Sequence, residues 1–218
     1  MSKGKGKDTR KRILDVAQDS VLAKGFGATS IDEIIAATGI TKSGFFYHFK
    51  DKSELAKAML NRYVEEDEKV YNEVFSRAHA LVDDPLQAFL LGLKLLSEVF
   101  SDLPKGHPGC LVASSCLAER NFDRDVQDIC RQAALIWRRR FHGMFAEIMA
   151  VYTPREPVDL DQLADMVSTV LEGGIVMSKA LKEPAILVQQ TLVLRSMVKM
   201  LFDPQPAARR SPVAQVST

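Results

Sequence analysis

Between Thr41 and Phe49 the chain gathers side chains that suit one kind of chemistry. Phe45, Phe46 and Phe49 supply an apolar anchor for one face of a short helix. Thr41, Lys42, Ser43, Tyr47 and His48 are left to donate or accept hydrogen bonds on the other face. Such a helix fits a groove about as wide as itself, where short polar or basic groups meet phosphate oxygens and base edges. Gly44 would let its backbone approach that surface closely. A second reactive residue is Cys110, within Gly106-His107-Pro108-Gly109-Cys110-Leu111-Val112. At a helix N-terminus the dipole would favour its thiolate, although a small buried packing residue is the alternative reading.

Catalytic and metal chemistry have no comparable signature. His79, His107, His142 and the three cysteines lack ligand spacing. No Ser/His/Asp set, carboxylate pair or phosphate loop stands out. The expectation is therefore no enzyme, no metal and no cofactor.

The elements that position the polar cluster are helices. Asp8 or Thr9 can cap a first helix carrying Ile13, Val16, Ala17 and Val21, and Lys24-Gly25 fits its stop. The first dozen residues read as a mobile basic arm. Ser30-Ile31-Asp32-Glu33 is a capping-box pattern opening a second helix that Gly39 ends. Thr41 caps a third, from Lys42 to about Phe49. Asp51-Lys52-Ser53-Glu54 repeats the capping pattern and opens a fourth, to about Ala80. Asp84-Pro85 launches a helix to about Phe100. Helices from Cys110 to Ala118, from about Asp123 to Val151, from Leu160 to Leu181 and from Ala185 to Phe202 complete the body. The chain reads as all-α, with a helix-turn-helix around Gly39-Ile40.

Charge separates along the chain while the total stays near neutral, at +1 over 218 residues. Residues 1–62 hold 12 Lys/Arg against 7 Asp/Glu, and the remainder holds 17 against 21. A basic head on a mildly acidic body suggests a nucleic-acid end. No run of apolar residues reaches the length of a membrane span, and an odd cysteine count does not resemble a secreted disulfide framework. These features lead us to expect a cytoplasmic protein without a membrane partner.

The run Thr29-Ser30-Ile31, Ile34-Ile35, Thr38-Gly39-Ile40-Thr41-Lys42-Ser43-Gly44, Phe46-Tyr47, Lys52 and Leu55 resembles the DNA-binding domain of the tetracycline-repressor (TetR) family. The likeness covers roughly residues 10–57, with Thr38 where the family usually has Ala. It implies an all-α homodimer that binds a palindromic double-stranded DNA operator and releases it on binding a small-molecule effector, most often as a repressor. Carried over by position, Thr29 and Tyr47 touch phosphates, Lys42, Ser43 and His48 sit near base edges, and Lys52 lies near the backbone. Gly-Cys-Leu at 109–111 resembles a segment of family members that sense electrophiles or oxidants.

On this reading, residues 1–52 form the arm and DNA-binding domain, and 53–203 form the ligand-binding and dimerisation domain. Residues 204–218 are a disordered tail rich in Pro, Ala, Ser and Arg. The resemblance makes a ligand cavity the default for the body. Phe89, Leu93, Phe100, Cys110, Trp137, Phe141 and Met177 are its expected lining, suited to an apolar or aromatic molecule. The last two helices are apolar around most of their circumference, so each needs burial on more than one side. A two-fold partner satisfies this, with Leu171, Gly174, Leu194, Met197, Val198 and Leu201 expected at the interface.

Overall fold

The computed structural model describes residues 3–118, 120 and 122–202, and these contain nine helices and no strand. They are α1 (Lys3–Lys24), α2 (Ile31–Thr38), α3 (Lys42–His48), α4 (Lys52–Leu81), α5 (Pro85–Ser101), α6 (Leu111–Leu117), α7 (Arg124–Met149), α8 (Leu160–Leu181) and α9 (Ala185–Phe202). The tail expected to be disordered lies outside the described residues.

Local signals explain most boundaries. The side chains of Ser30, Thr41, Asp51, Asp84, Asp123 and Asp159 each accept a backbone N–H at the start of their helix. Gly25 ends α1 at φ 85° and Gly39 ends α2 at φ 66°. One boundary departs from expectation: α1 begins at Lys3, where a mobile arm was predicted. The lysines of that segment are good helix formers and no proline interrupts it, so the helix continues through Gly4 and Gly6.

α1, α2 and α3 pack on one another at the N-terminal end of α4. In the body, α5 lies against α4, α7 and α9, while α8 lies between α7 and α9. The core does not break between these parts. Ile13, Ile34, Phe45 and Phe49 belong to the same buried cluster as Phe75, Phe89, Phe141, Phe145 and Phe202. α4 runs through both regions. Arg62 ties it to α1, donating to Asp15 at 2.6 Å and to Gln18 at 2.8 Å. Lys57 and Ser53 tie it to the start of α7 through Asp123 and Asp125.

The interface expectation needs correction. Leu171, Gly174, Leu194 and Val198 are buried inside the protomer, and Leu201 is half-buried. Gly174 is there so that α8 can approach α9, since a Cβ would stand 3.0 Å from a Leu187 methyl. Of the six named residues Met197 alone is exposed, one turn from the exposed Val193 and Met200 on α9; Val176 on α8 is exposed as well. An α9 that is apolar all round hides which side faces inward. By length and a mean hydropathy of 1.3, α9 also passes as a membrane-crossing helix. One side of it is spent on the core, where Arg195 donates to the Leu90 carbonyl at 3.1 Å.

A candidate DNA-reading face and a cavity behind it

The sequence-expected reading helix assembles largely as its residue types require. Phe45 and Phe49 are buried and pin α3 to the core. Phe46, expected as a third anchor, is 43% exposed and meets Phe45 edge-on at 5.4 Å. Thr41 Oγ1 accepts the Gly44 N–H at 3.1 Å and shares a hydrogen bond with Ser43 Oγ. A Cβ at residue 44 would stand 3.2 Å from that Thr41 oxygen, so the glycine also protects the cap. Lys42 and Ser43 are exposed, and Lys42 meets Asp32 only at 3.9 Å, on a surface where ion pairs are weak. Tyr47 is 83% exposed and stands edge-on to the half-buried His48 at 5.0 Å. The two turns of α3 thus present ammonium, hydroxyl, phenol and imidazole groups together.

Two expected contacts fall elsewhere. Thr29 is buried; its hydroxyl donates to the Gly25 carbonyl at 3.0 Å and pairs with Ser20. It closes the α1–α2 loop. Lys52 Nζ donates to the Phe26 carbonyl at 2.6 Å and lies 4.4 Å from the centre of the Phe26 ring. Burial lowers its pKa, and the ammonium is engaged by this loop carbonyl. Thr38, the departure from the family pattern, is buried without strain because its hydroxyl returns to the Ile34 carbonyl at 2.6 Å.

Behind this face a cavity of about 770 Å³ opens between α4, α6, α7 and α8. Of the expected lining, Phe100, Cys110, Trp137 and Met177 border it. Phe89, Leu93 and Phe141 do not: all three are at most 1% exposed and fill the core between α4, α5 and α7. Phe89 stacks on Phe75 and tilts against Phe145, while Phe141 stands edge-on to Tyr71 at 5.7 Å.

The groups that sequence reasoning missed are polar. Tyr63, Asp67 and Tyr71 enter from α4, and Asp165 and Glu172 enter from α8. Spacing of four on α4 was the available signal, since residues 63, 67 and 71 share one face. Arg138 donates to both oxygens of Asp165 at the cavity edge. Burial, and then the neighbouring Glu68 charge, push the Asp67 carboxyl up to about 7. Burial also raises Glu172. His107 is held down near 4 by burial and by Lys179, so its ring is neutral and accepts the Gly109 N–H at Nδ1.

Cys110 caps α6 as expected, its sulfur accepting the Ala113 N–H at 3.4 Å. Burial and the nearby Glu172 carboxylate nevertheless push the thiol up to about 12, outweighing the helix terminus. A protonated, buried thiol is a poor nucleophile. Brief treatment with N-ethylmaleimide at neutral pH should therefore label the exposed Cys116 and leave Cys110 unmodified by peptide mass mapping. Equal labelling of the two would restore Cys110 as a sensor.

Residues 13–59 match a family model described as bacterial regulatory proteins, tetR family. The chain is 43% identical over 54 residues to the HTH-type transcriptional regulator AcrR of Shigella flexneri, a stretch covering 25% of each chain. It is 26% identical over 196 residues to the uncharacterized HTH-type regulator YxaF of Bacillus subtilis, covering 85% of this chain and 93% of that one. A TetR-family regulator from Agrobacterium tumefaciens shares the fold at a TM-score of 0.75 and 18% identity, over 90% of this chain and 99% of its own. Residues 13–59 therefore carry a tetR-type DNA-binding domain, and the described chain shares the fold of solved TetR-family regulators.

Proposed function

We propose that this regulator is a cytoplasmic repressor that binds a palindromic operator as a homodimer and is released by a small molecule in the cavity. The observation that carries the reading is the exposed polar turn of α3, held on Phe45 and Phe49, on a chain whose next helix also walls a cavity. In this account Thr41, Lys42, Ser43, Tyr47 and His48 make the DNA contacts, and Gly44 allows close approach. Residues 1–52 serve as the reading unit and 53–203 as the sensing and pairing unit. Ligand and operator must weaken each other by the same factor, because each acts only through its differential affinity for the two states.

Selection of duplexes from a random pool by the full chain, followed by release assays with candidate molecules, tests this reading. Enrichment of a palindrome retained in a salt-dependent manner is the expected result. Recovery of no preferred sequence would count against it. Within the selected site, Lys42→Ala should lose roughly 1–3 kcal/mol and relax discrimination at particular bases, whereas Tyr47→Phe should weaken all duplexes alike. Equal loss by Lys42→Ala on operator and random DNA would remove the base contact.

A further inference from the structure

The cavity carries a charge imbalance that its aromatic walls make informative. Asp67 and Glu172 face it from opposite helices, and neither forms an ion pair among the described residues. Of the nearby cations, Arg138 holds Asp165, Arg140 holds Glu68 and Asn72, and Lys179 acts on His107. His107 is neutral. Tyr63, Tyr71, Phe100 and Trp137 surround this negative excess with ring faces and edges. The indole N–H of Trp137 is buried without a hydrogen-bond partner. Its closeness to Asp67 lowers that carboxyl, against the larger effect of burial.

We propose that the cavity takes a hydrophobic organic cation, its charge held by Asp67 and Glu172 and its apolar groups packed on Tyr63, Tyr71, Phe100 and Trp137. A cation over aromatic faces in a partly desolvated site gains from the ring quadrupoles as well as from the carboxylates. An anion would meet two half-buried acids, and a neutral molecule would leave them without a counter-charge. This assignment rests on the reading of the cavity as the effector site and narrows the class of effector expected from sequence.

Proton linkage supplies a second signature. The groups facing Asp67 are Tyr63, Tyr71 and Glu68 on its own helix, Arg140 and Trp137 on α7, Cys110 at α6, and Glu172 from α8. Burial keeps both phenols and the thiol protonated well above neutrality, so they do not titrate near pH 7. Asp67, with its carboxyl near 7, must ionise to hold a permanent cation. Affinity should therefore rise with pH, and be about tenfold weaker at pH 6 than at pH 8.

The chain contains one tryptophan, Trp137, so quenching of its emission reports on this cavity alone. Tetraphenylphosphonium and the smaller N-methylquinolinium are the cationic probes, and tetraphenylborate is an anion of the phosphonium's size and shape. A cation should quench Trp137 at least about tenfold more tightly than tetraphenylborate, with the stated pH dependence. Asp67→Asn should weaken cation binding about tenfold at pH 8 and abolish the pH dependence. Loss of pH dependence separates charge recognition from a packing defect, and a wild-type circular dichroism melt confirms folding. Glu172→Gln, on the other helix, gives an independent weakening. Failure of both cations to quench, or tighter binding of tetraphenylborate, overturns the proposal. Operator affinity measured with the same probes separates the two readings. Cation binding without DNA release spares the cation site and defeats the effector reading. DNA release by other molecules, with no cation binding, does the reverse.

Discussion

A chain carrying Val193→Glu and Met197→Glu is expected to remain folded, to sediment as a monomer, and to lose at least about a hundredfold in operator affinity. The two residues are 48% and 44% exposed on α9 and lie one helical turn apart, next to the exposed Met200. Exposed on a single chain, glutamates there cost little. Covered by a second copy, they would be two unpaired charges on each side of an apolar interface. Linking two reading heads contributes about 10²–10⁴ to affinity through effective concentration, so losing the partner should cost that much. Leu194→Glu is the contrasting control: Leu194 is fully buried, and a charge there should unfold the protomer itself. Dimers that persist in the double variant, or monomers with undiminished operator affinity, would refute this interface.

Phe141→Ala should lower stability by about 3–5 kcal/mol. The ring is fully buried, edge-on to Tyr71 and to Phe75 at 6.0 Å. Its removal leaves a hole that α4 and α7 cannot close without moving other rings. For a chain of this length the melting temperature should fall by roughly 10 °C. Met177→Ala, on the cavity rim, should change it little by calorimetry, because that side chain is 48% exposed. A Phe141→Ala chain with the wild-type melting temperature would place the residue back on the cavity wall.

The contrast between Phe141 and Tyr63 shows where sequence reading stops. Helix ends were legible because they depend on neighbours in the chain. Asp84-Pro85 and Asp159 each place an N-terminus, and α8 and α9 fall at the expected residues. The turn of α3 was legible for the same reason: Thr41 caps, Phe45 and Phe49 bury, and the remaining side chains are left outside. Azimuth was not. Whether a phenylalanine fills the core or walls a cavity depends on which helices pack beside it, and an apolar stripe carries no record of that. Leu194 and Met197 differ by three residues on one apolar helix, yet one is fully buried and the other is exposed. The acids at 67 and 172 were missed because polar residues read as solvated faces. Lys52 and Thr29 were misplaced because a loop carbonyl, at Phe26 or Gly25, competes with an external phosphate for the same donor.

The unbroken course of α4 has a mechanical consequence. Its 30 residues contain neither proline nor glycine, so the helix has no built-in joint and acts as a lever. From Asp67 to Lys52 the arm is about 22 Å long at 1.5 Å per residue. A tilt of about 10° at the cavity therefore sweeps the end beside α3 through roughly 4 Å. Base-edge hydrogen bonds tolerate only about 0.5 Å of misplacement. On the proposed reading, the gearing is steep enough that an occupant would need to shift the middle of the lever by only a fraction of a side chain's width to spoil the fit at its tip.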